Sequence, residues 1–501
     1  MSLAIVYSRA SQGVQAPLVT VEVHLSNVLP GIAIVGLPAT AVKESRDRVR
    51  SAIMNSRFDI PTKRITVNLA PADLPKEGAA YDLAIAIGIL AASNQIPCDP
   101  IAEYEFLGEL ALTGELRPIR AALPAALATH KNQRKLIVPA QNTDLNCLSS
   151  KYKILTANSL LDVTGHFIGA DNLPPIKKAL PTKPLQHPLD LADVKGQIEA
   201  KRALEIAASG GHSLLFIGPP GTGKSMLSTR LPTILPKLTE EQALSVAAIH
   251  SVSKRGFNFA DWQTRPYRSP HHTASAISLV GGGRPPQPGE VSLAHQGILF
   301  LDELPEFGRN VLEVLREPLE SGTVTITRAA CQVEFPAEFQ LICAMNPCPC
   351  GYAGDSSNRC QCTPEIVQRY QTRISGPLLD RIDMQTLVSP LPKKYLMQQD
   401  EKIESSAEVL QRVEKAHSRQ LNRQGKLNAR LTQGELYQHA KLSDANNNYM
   451  LNTMERLQLS ARAFYRLLKL ARTIADLNQS DNIDRIHLQE AFSFRKQFKR
   501  R

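Results

Sequence analysis

The sequence predicts a multidomain α/β protein with a doubly wound parallel sheet at its centre, and three observations support this prediction. The apolar run Leu214–Ile217 leads into a glycine-rich segment and then a helical pattern. A second apolar run, Ile298–Leu301, ends in two carboxylates, and a third, 339–345, ends in an amide. Apolar strands that alternate with helices and carry polar residues at their carboxyl ends are typical of this fold class.

Composition indicates a globular protein of several domains. Of its 501 residues, 43% are apolar and 21% are charged, and this length favours about two to four domains. The formal net charge of +11 permits a nucleic-acid partner without requiring one. The longest apolar run, 83–92, is about half the ~20 residues that span a membrane. Because the eight cysteines do not resemble a disulfide scaffold and no leader pattern opens the chain, we expect a cytoplasmic protein without a membrane partner.

Changes of pattern along the chain predict four regions. Residues 1–165 mix strands and helices, residues 166–189 form a stiff proline-rich linker, and residues 190–390 carry the three apolar strands. Residues 391–501 have helical periodicity. A helix that opens at 190 and runs to 208 is expected to lead into the first apolar strand.

The first region is expected to be an α+β unit. Alternation of apolar and polar residues predicts strands at 19–25 and 64–69, and 135–139 is a further strand candidate. Helical spacing predicts helices at 39–56 and 81–92.

The glycine-rich segment follows the pattern Gly-x-x-x-x-Gly-Lys-Ser between a strand and a helix, which is the context of a P-loop. Glycines let consecutive N–H groups turn inward around an anion, and the helix N-terminus adds partial positive charge. Lys224 is expected to reach the β- and γ-phosphates of ATP, and Ser225 to ligate Mg²⁺. The predicted ATP-binding residues are Gly218, Pro219, Pro220, Gly221, Thr222, Gly223, Lys224 and Ser225.

Three polar residues at strand ends are expected to complete this site. Asp302 would hold Mg²⁺ directly or through water, and Glu303 would orient and deprotonate the attacking water. Asn346 would hydrogen-bond the γ-phosphate region and that water. Asparagine at a strand end is also common turn chemistry, so Asn346 alone would not identify a site.

Two segments that follow the P-loop are expected to project from the core. Glycines and prolines at 281–289 predict a loop, and 322–336 alternates in two arms around 328–331 like a hairpin. The preceding pair His271 and His272 has no third metal ligand beside it and is assigned no role.

Four cysteines form two Cys-x-Cys pairs separated by nine residues: Cys348, Cys350, Cys360 and Cys362. Four soft ligands on one loop suit a tetrahedral Zn²⁺ site. Free or redox-active thiols are the alternative.

Six basic residues near the C-terminus recur at spacings of three and four and would form one stripe on a continuous helix. DNA phosphates are a natural partner for such a stripe, with Arg419 and Arg423 as candidate contacts, and a solvated helix face is the alternative. The six are Arg412, Lys415, Arg419, Arg423, Lys426 and Arg430.

Together, the P-loop, the two carboxylates and the asparagine resemble the nucleotide site of an AAA+ ATPase. Under this resemblance, Arg381 matches an arginine finger that acts on the neighbouring subunit's γ-phosphate; an ion pair with Asp380 or Asp383 is the alternative. Arg462, in the first turn of a helix predicted at 460–477, matches the sensor-2 arginine, with a solvated arginine as the alternative.

The two projecting segments resemble the helix-2 insert and the pre-sensor-1 hairpin of the magnesium-chelatase and MCM branch of AAA+. In ring helicases such loops line the pore and hold DNA. The resemblance therefore makes Arg284 and Arg328 candidate DNA contacts.

The first region resembles the Lon-protease-like variant of the ribosomal S5 domain 2 fold, through Leu-Pro-Lys-Glu-Gly at 74–78 and a glycine-rich strand pair at 108–116. Ala79 and Ala80 stand where that protease has its serine, and Leu123 lies near the position of its lysine. Because alanine cannot be a nucleophile, the resemblance implies a protease-like fold with a structural role and no proteolysis.

The whole chain resembles the YifB/ComM family of magnesium-chelatase-like AAA+ proteins, through these motifs and Ala-Arg-Thr-Ile-Ala-Asp at 471–476. The resemblance implies a homohexameric ring with ATP at subunit interfaces and a C-terminal helical lid. ComM-type members are helicases that drive branch migration during natural transformation, so single-stranded and branched DNA are the implied partners. The alternative is a chelatase subunit that uses ATP to insert Mg²⁺ into a porphyrin.

Overall fold

A computed structural model gives the fold of the chain. The residues it describes are 2–36, 39–178, 189–328, 331–354, 359–391 and 403–495. The residues described by their backbone alone are Thr40, Ala41, Lys43, Arg328 and Cys331.

The first region is built on a mixed β-sheet. Its strands are β1 (Leu3–Arg9), β2 (Leu18–Ser26), β3 (Gly31–Val35), β4 (Arg64–Ala70), β5 (Tyr104–Phe106), β6 (Glu109–Leu110), β7 (Leu116–Arg117), β8 (Lys135–Pro139) and β9 (Ile154–Ala157). Its helices are α1 (Thr40–Asn55), α2 (Asp82–Ala92), α3 (Ala122–Lys131) and α4 (Leu160–Ile168). Seven of the strands form one sheet in the order β3-β4-β2-β1-β5-β8-β9. The predicted strands β2, β4 and β8 and the predicted helices α1 and α2 are confirmed.

Burial in this sheet follows the alternation of the sequence. In β2 the valines at 19, 21 and 23 are fully buried, and Val21 lies opposite Val6 of β1 and Leu69 of β4. Helix α2 covers the sheet and every one of its residues is buried. It lies so close that a Cβ added at Gly88 would be 2.6 Å from Cγ2 of Val23.

The linker prediction for 166–189 is wrong at its start. Helix α4 continues to Ile168 and ends at Gly169, which has φ of +78°. Beyond it, Pro175 bridges to Leu155 of β9 and Ile176 is buried, so this stretch belongs to the first region. The residues 179–188 lie outside the described part of the chain.

The central region contains a parallel sheet flanked by helices. Its strands are β10 (Leu214–Ile217), β11 (Tyr267–Arg268), β12 (Gly281–Gly282), β13 (Gln287–Pro288), β14 (Ile298–Leu301), β15 (Thr323–Arg328), β16 (Cys331–Pro336), β17 (Gln340–Met345) and β18 (Met384–Leu387). Its helices are α5 (Ile198–Gly210), α6 (Lys224–Arg230), α7 (Glu240–Val252), α8 (Ala276–Val280), α9 (Glu290–Leu293), α10 (Arg309–Glu313), α11 (Pro318–Ser321), α12 (Pro364–Gln371) and α13 (Gly376–Leu379). Five strands form the sheet in the order β11-β14-β17-β10-β18, and all neighbours run parallel. The predicted parallel α/β core is confirmed.

The helix expected from 190 to 208 begins later than predicted. A short 3-10 turn occupies Leu191–Asp193, and the backbone then takes positive φ at Gly196 (+60°) and Gln197 (+53°). Because two consecutive left-handed residues cannot continue a right-handed helix, α5 starts at Ile198.

The two projecting segments are both hairpins. The expected loop at 281–289 contains the antiparallel pair β12 and β13, so the prediction of a plain loop is wrong at its base. A Cβ added at Gly281 would clash with the Gln287 carbonyl oxygen and lie 2.9 Å from Cδ1 of Ile326, which brings the base against the second hairpin. Arg284 is exposed at the tip. The second hairpin is confirmed as β15 and β16, and the side chain of Arg328 lies outside the described part.

The C-terminal region is helical and shares a core with the central sheet. Its helices are α14 (Ser406–Gln424), α15 (Gln433–His439), α16 (Asp444–Leu457), α17 (Ala461–Leu477) and α18 (Arg485–Ser493). Leu467 and Ile474 of α17 lie in one hydrophobic cluster with Leu214 and Phe216 of β10. Residues 392–402, which precede this region, lie outside the described part.

The first and central regions also pack together. Leu123 of α3 is fully buried, in a cluster that includes Ala243 and Val246 of α7 and Trp262. The position near which the protease resemblance places a lysine is therefore occupied by a core leucine. Among the described residues, no helix combines the length and apolarity needed to cross a membrane.

Candidate nucleotide site and cysteine centre

The glycine-rich segment lies at the carboxyl edge of the five-stranded sheet, between β10 and α6. Gly221 and Gly223 have φ of +76° and +88°, which a residue with a Cβ adopts only at a cost. A Cβ added at Gly218 would clash with the carbonyl oxygen of Val388. The glycines therefore give the loop its shape, and the loop leads directly into the N-terminus of α6, a position that favours anions.

Lys224 is the first residue of α6, and its ammonium group folds back over the loop. Nζ donates to the carbonyl oxygens of Gly218 at 2.7 Å and Pro219 at 2.8 Å, and to Oδ1 of Asn346 at 3.1 Å. Burial lowers the pKa of Lys224 below its ordinary value, and the charge of Asp302 partly opposes this shift. The lysine and the asparagine therefore lie within hydrogen-bond distance of each other at one edge of the sheet.

Ser225 and Asp302 are joined by a short hydrogen bond. The Ser225 hydroxyl donates to Oδ2 of Asp302 at 2.6 Å, which places a hydroxyl oxygen and a carboxylate oxygen side by side. This is the kind of oxygen pair that holds Mg²⁺ next to nucleotide phosphates. The residues present thus fit that ion.

Glu303 occupies a strained position one residue further along. Its φ of +53° is left-handed, a conformation that costs energy for a non-glycine residue and clusters at functional sites. Its N–H donates to Oδ1 of Asp302 at 2.9 Å, and its side chain is 54% exposed. The carboxylate is therefore open to solvent and accessible to a water molecule.

His272 contacts Glu303, although the sequence analysis assigns His272 no role. Nδ1 of His272 lies 3.3 Å from Oε2 of Glu303, and its ring lies 4.1 Å from that of His271. The sheet order explains this contact, because β11 pairs with β14 in parallel and the residues that follow the two strands meet at one edge. A sequence reading that assigned this strand pairing would have found the contact.

Two tyrosines were also missed by the sequence reading. The hydroxyl of Tyr267 lies 2.9 Å from the Ser228 hydroxyl on α6, and burial raises the pKa of Tyr267 to about 12. Burial likewise raises the pKa of Tyr370 to about 12, and its hydroxyl is hydrogen-bonded by the backbone of Asn346. Both phenols remain neutral, and each is hydrogen-bonded to a residue in or next to the site, Ser228 or Asn346.

The side chain of Arg381 is buried and does not project into solvent. It is 6% exposed and pairs with Glu320, and Nη1 donates to the Pro377 carbonyl oxygen at 2.8 Å. The alternative from the sequence analysis, an ion pair of Arg381 with Asp380 or Asp383, is therefore wrong. It also differs from the free side chain expected of an arginine finger, because Glu320 already pairs with the guanidinium within the chain.

Arg462 is the second residue of α17 and is exposed. The helix begins as predicted, with the Ser460 hydroxyl accepting the N–H of Ala463 at 3.3 Å. On the same helix, Arg466 donates to Oδ1 of Asp383 at 2.5 Å. Arg462 thus differs from Arg466 in pointing to solvent at the helix N-terminus, where a cation opposes the helix dipole.

The four cysteines form one compact cluster. Their sulfur atoms lie within 4.8 Å of one another, and Sγ of Cys348 is 3.2 Å from that of Cys350 and 3.8 Å from that of Cys360. Four thiolates at about 2.3 Å from a tetrahedral Zn²⁺ are separated by nearly 4 Å. The donor set therefore fits Zn²⁺ in chemistry and spacing. The backbone N–H of Tyr352 and the Cys348 thiol lower the pKa of Cys350 to about 6. A hydrogen bond from the Cys362 backbone is outweighed by burial and the neighbouring cysteine thiols, which raise the pKa of Cys360 to about 11. The thiols of the cluster therefore differ in how readily each forms the thiolate that binds metal.

The predicted basic stripe is wrong. Helix α14 ends at Gln424 because Gly425 adopts φ of +72°, so the last two of the six residues lie beyond it. Five of the six are paired with acidic residues: Arg412 with Glu205 and Glu404, Arg419 with Asp481, Arg423 with Asp476, Lys426 with Glu435 and Arg430 with Glu338.

Arg423 differs most from the expected DNA contact. It donates to both oxygens of Asp476, at 2.6 and 2.8 Å, and the Asp476 carboxylate is fully buried. Arg423 is therefore a structural ion-pair residue. Arg419 pairs with the 93% exposed Asp481 at the surface, where such a contact contributes little stability.

Comparison with protein families matches three consecutive parts of the chain. The model described as magnesium chelatase, subunit ChlI matches residues 190–396. The model described as subunit ChlI of Mg-chelatase matches 21–142, and that of the ChlI C-terminal part matches 403–495. The central region is thus a magnesium-chelatase-like AAA+ domain.

Several curated proteins resemble the chain over nearly its whole length. Competence protein ComM of Haemophilus influenzae is 50% identical over 499 residues, which cover 99% of this chain and 98% of that protein. YifB of Escherichia coli is 52% identical over 500 residues, covering 99% and 97% respectively. The 67 kDa magnesium-chelatase subunit of Heliobacterium mobile is 26% identical over 262 residues, covering 46% and 38%. The chain therefore belongs to the ComM/YifB family of magnesium-chelatase-like AAA+ proteins.

Proposed function

We propose that the protein is an ATP-driven DNA motor that promotes branch migration when incoming DNA is integrated during natural transformation. Two hydrogen bonds at one edge of the sheet support the ATPase part. Lys224 donates to Asn346 at 3.1 Å and Ser225 donates to Asp302 at 2.6 Å. The DNA part is supported by the 50% identity to a protein named for competence. Single-stranded and branched DNA are the proposed partners.

Each residue of the site has a proposed part in hydrolysis. The Lys224 ammonium would give up its hydrogen bonds to the Gly218 and Pro219 carbonyl oxygens and donate to the β- and γ-phosphates instead. Ser225 and Asp302 would hold Mg²⁺, which supplies charge neutralisation when bound. Glu303 accepts the proton of the attacking water, and Asn346 orients that water. The loop N–H groups between Gly218 and Lys224 hold the phosphate oxygens.

The proposed assembly is a homohexameric ring with ATP at subunit interfaces. Arg462, exposed at the start of α17, is proposed to contact the phosphates as sensor 2. Arg381 is proposed to act on the neighbouring subunit's γ-phosphate, which requires that assembly exchange Glu320 for that phosphate. The C-terminal helices would form a lid on the site.

The proposed domain organisation follows the sequence prediction except at the first boundary. The first region, which extends beyond residue 165 to at least Ile176, would be an S5 domain 2-like unit, and Ala79 and Ala80 in place of a nucleophile leave it without proteolysis. Its contribution would be structural, since its helix α3 packs on α7 of the central region.

The hairpins β12–β13 and β15–β16 are proposed to hold the DNA. They contact each other through Gly281 and Ile326, and Arg284 is exposed at the first tip. Arg328, at the second tip, and Arg419, at the surface, are the remaining candidates for phosphate contacts.

The test is the rate of ATP hydrolysis by the full chain with and without single-stranded and branched DNA at low salt. A DNA motor hydrolyses ATP faster when its substrate is bound, so both DNAs should raise kcat. An unchanged rate together with no DNA binding at low salt would contradict the proposal.

A chelatase-type activity is the second candidate, and the family matches over all three regions favour it. Its test is ATP-dependent insertion of Mg²⁺ into a porphyrin in the presence of the remaining chelatase subunits. Insertion that depends on Glu303, without stimulation of hydrolysis by DNA, would replace the first candidate by the second.

We also propose that the cysteine cluster binds Zn²⁺. Metal analysis of the purified protein should give about one zinc per chain, lost when Cys348 and Cys360 are replaced by serine. A natively purified protein without zinc rejects this site.

A further inference from the structure

The cysteine loop is joined to the nucleotide site by the chain itself. Asn346, which accepts the Lys224 hydrogen bond, is followed by Pro347 and then by Cys348, whose residue is fully buried. The Pro347 carbonyl oxygen accepts from Nε2 of Gln371 at 3.1 Å. Little freedom therefore separates the catalytic amide from the first sulfur of the cluster.

A second contact joins the cysteine loop to the P-loop. Gly351, between the second and third cysteines, has φ of +86°, and a Cβ added there would lie 2.6 Å from Cδ and 3.2 Å from Cγ of Pro220. Because real Cβ atoms do not approach a carbon so closely, the backbone of Gly351 must lie in direct contact with the ring of Pro220. Pro220 has a fixed φ, and a push on its ring is therefore passed to the P-loop backbone.

A cation bound by the cluster would hold this contact in place. Four sulfur atoms within 4.8 Å of one another repel when they are thiolates, and a bound metal replaces that repulsion by four bonds. The N–H of Ala353 donates to Sγ of Cys348 at 3.2 Å, which ties the turn that contains Gly351 to the same sulfur.

We propose that metal bound by the four cysteines sets the nucleotide affinity of the P-loop, by pressing Gly351 against Pro220 and fixing the chain at Asn346. This role is separate from DNA binding and rests on the proposed nucleotide site and on the proposed binding of metal by the four cysteines. The cysteine centre is then a positioning element of that site, and loss of metal loosens the P-loop while the rest of the sheet stays folded.

The loop offers a matched pair of variants for the first test. Gly351 and Gly354 both have positive φ, +86° and +80°, but a Cβ at Gly354 would meet nothing within 4 Å. Backbone strain is therefore similar in Gly351→Ala and Gly354→Ala, and only the first disturbs Pro220. We expect both to keep about one zinc per chain and only Gly351→Ala to bind a fluorescent non-hydrolysable ATP analogue about tenfold more weakly. Equal affinities in the two variants would overturn the proposal.

The second test removes the metal from the wild-type full chain with a chelator. Affinity for the same analogue should fall about tenfold and return when Zn²⁺ is added back. Cys360→Ser should behave like the stripped protein, and Cys98→Ser, which lies outside the cluster, should behave like the wild type. A stripped protein that binds the analogue as tightly as the loaded one contradicts the coupling.

These readouts separate the inference from the proposed function. If the zinc-loaded wild type binds no analogue, the nucleotide site itself is wrong. If it binds the analogue with the same affinity whether or not zinc is present, the site stands and the coupling is wrong.

Discussion

The two edges of the five-stranded sheet hold carboxylates in opposite ways. At the carboxyl edge, Glu303 is 54% exposed and its carboxylate touches His272. At the amino edge, Asp383 is 12% exposed and accepts from the N–H and the hydroxyl of Ser213, each at 3.1 Å. Arg466 donates to its other oxygen at 2.5 Å.

The difference separates ligand chemistry from structure. Asp383 has its charge and its acceptor capacity satisfied within the chain, so it can hold the edge together but cannot bind anything else. Glu303 keeps an exposed carboxylate, with His272 beside it, on a strained backbone, an arrangement that suits a place where a ligand or water arrives. A charged residue at a strand end is thus a site candidate when its partners inside the chain are incomplete.

The largest effect is expected from Glu303→Gln at the carboxyl edge. The amide keeps the shape but cannot accept the proton of water, so kcat for ATP hydrolysis should fall about 10²- to 10⁴-fold. Binding of an ATP analogue should persist, measured by fluorescence titration. Turnover at the wild-type rate would remove Glu303 from its role and break the comparison.

At the amino edge, Asp383→Asn should lower stability rather than catalysis. It leaves Arg466 without its counter-charge in a largely buried place, a change that typically costs roughly 3–5 kcal/mol. Urea denaturation should show an earlier midpoint, while the folded variant retains its affinity for the ATP analogue. An unaltered midpoint would mean that Asp383 is not the structural carboxylate described above.

The stabilisation by Asp383 should also depend on pH. Burial alone would raise the pKa of its carboxyl, but Arg466 and His212 outweigh burial and the net pKa is lowered. A lowered folded-state pKa gives stability that is present above the unfolded value of about 3.9 and is lost as pH falls below it. The stability difference between wild type and Asp383→Asn should therefore shrink below about pH 4 in urea titrations, and a constant difference would contradict the ion pair.

Nucleotide binding should depend on pH in the alkaline range. Burial lowers the pKa of Lys224, so its ammonium loses the proton at lower pH than the ordinary value of about 10.4. Affinity for the ATP analogue should decline as pH rises in the alkaline range, beginning at lower pH than for an ordinary lysine, whereas Lys224→Arg should stay flat because arginine keeps its charge. Parallel curves for the two proteins would place the titrating group elsewhere.

The smallest effect is expected for the exposed Arg284. Arg284 and Arg423 show the same contrast as Glu303 and Asp383, between an exposed charged residue and one that is paired within the chain. Arg284→Ala at the exposed hairpin tip should weaken single-stranded DNA binding several-fold and reduce the salt slope by about one charge. Arg423→Gln should instead lower the urea midpoint, because it removes the two-bond arginine partner of the buried Asp476 carboxylate and leaves that carboxylate with Arg472 and Asn428. Fluorescence anisotropy at several salt concentrations distinguishes the two, and equal DNA affinities of wild type and Arg284→Ala would exclude that tip.

The P-loop and the strand ends could be predicted because their signals are local. The pattern from Leu214 to Ser225 combines strand, glycines and helix within one short segment, and Asp302 directly follows an apolar strand. The parallel order of the sheet then brings these residues together without further information.

Contacts between distant segments could not be predicted in the same way. The pairing of Arg381 with Glu320 depends on how distant segments fold against each other. The contact of His272 with Glu303 depends on the pairing of β11 with β14, which the sequence analysis did not assign. The prediction of a basic stripe is wrong for a local reason, because Gly425 ends helix α14. It is also wrong because acidic residues from other parts of the chain pair with most of the basic residues.

The central claim is that hydrolysis at the carboxyl edge drives movement of DNA strands. The most direct measurement is strand exchange on a synthetic three- or four-stranded junction, with the full chain, ATP and Mg²⁺, followed by native gel electrophoresis. The account predicts ATP-dependent exchange by the wild type and none by Glu303→Gln, although that variant still binds ATP. Exchange at the same rate by the variant, or no exchange by a wild type that hydrolyses ATP and binds the junction, would contradict it.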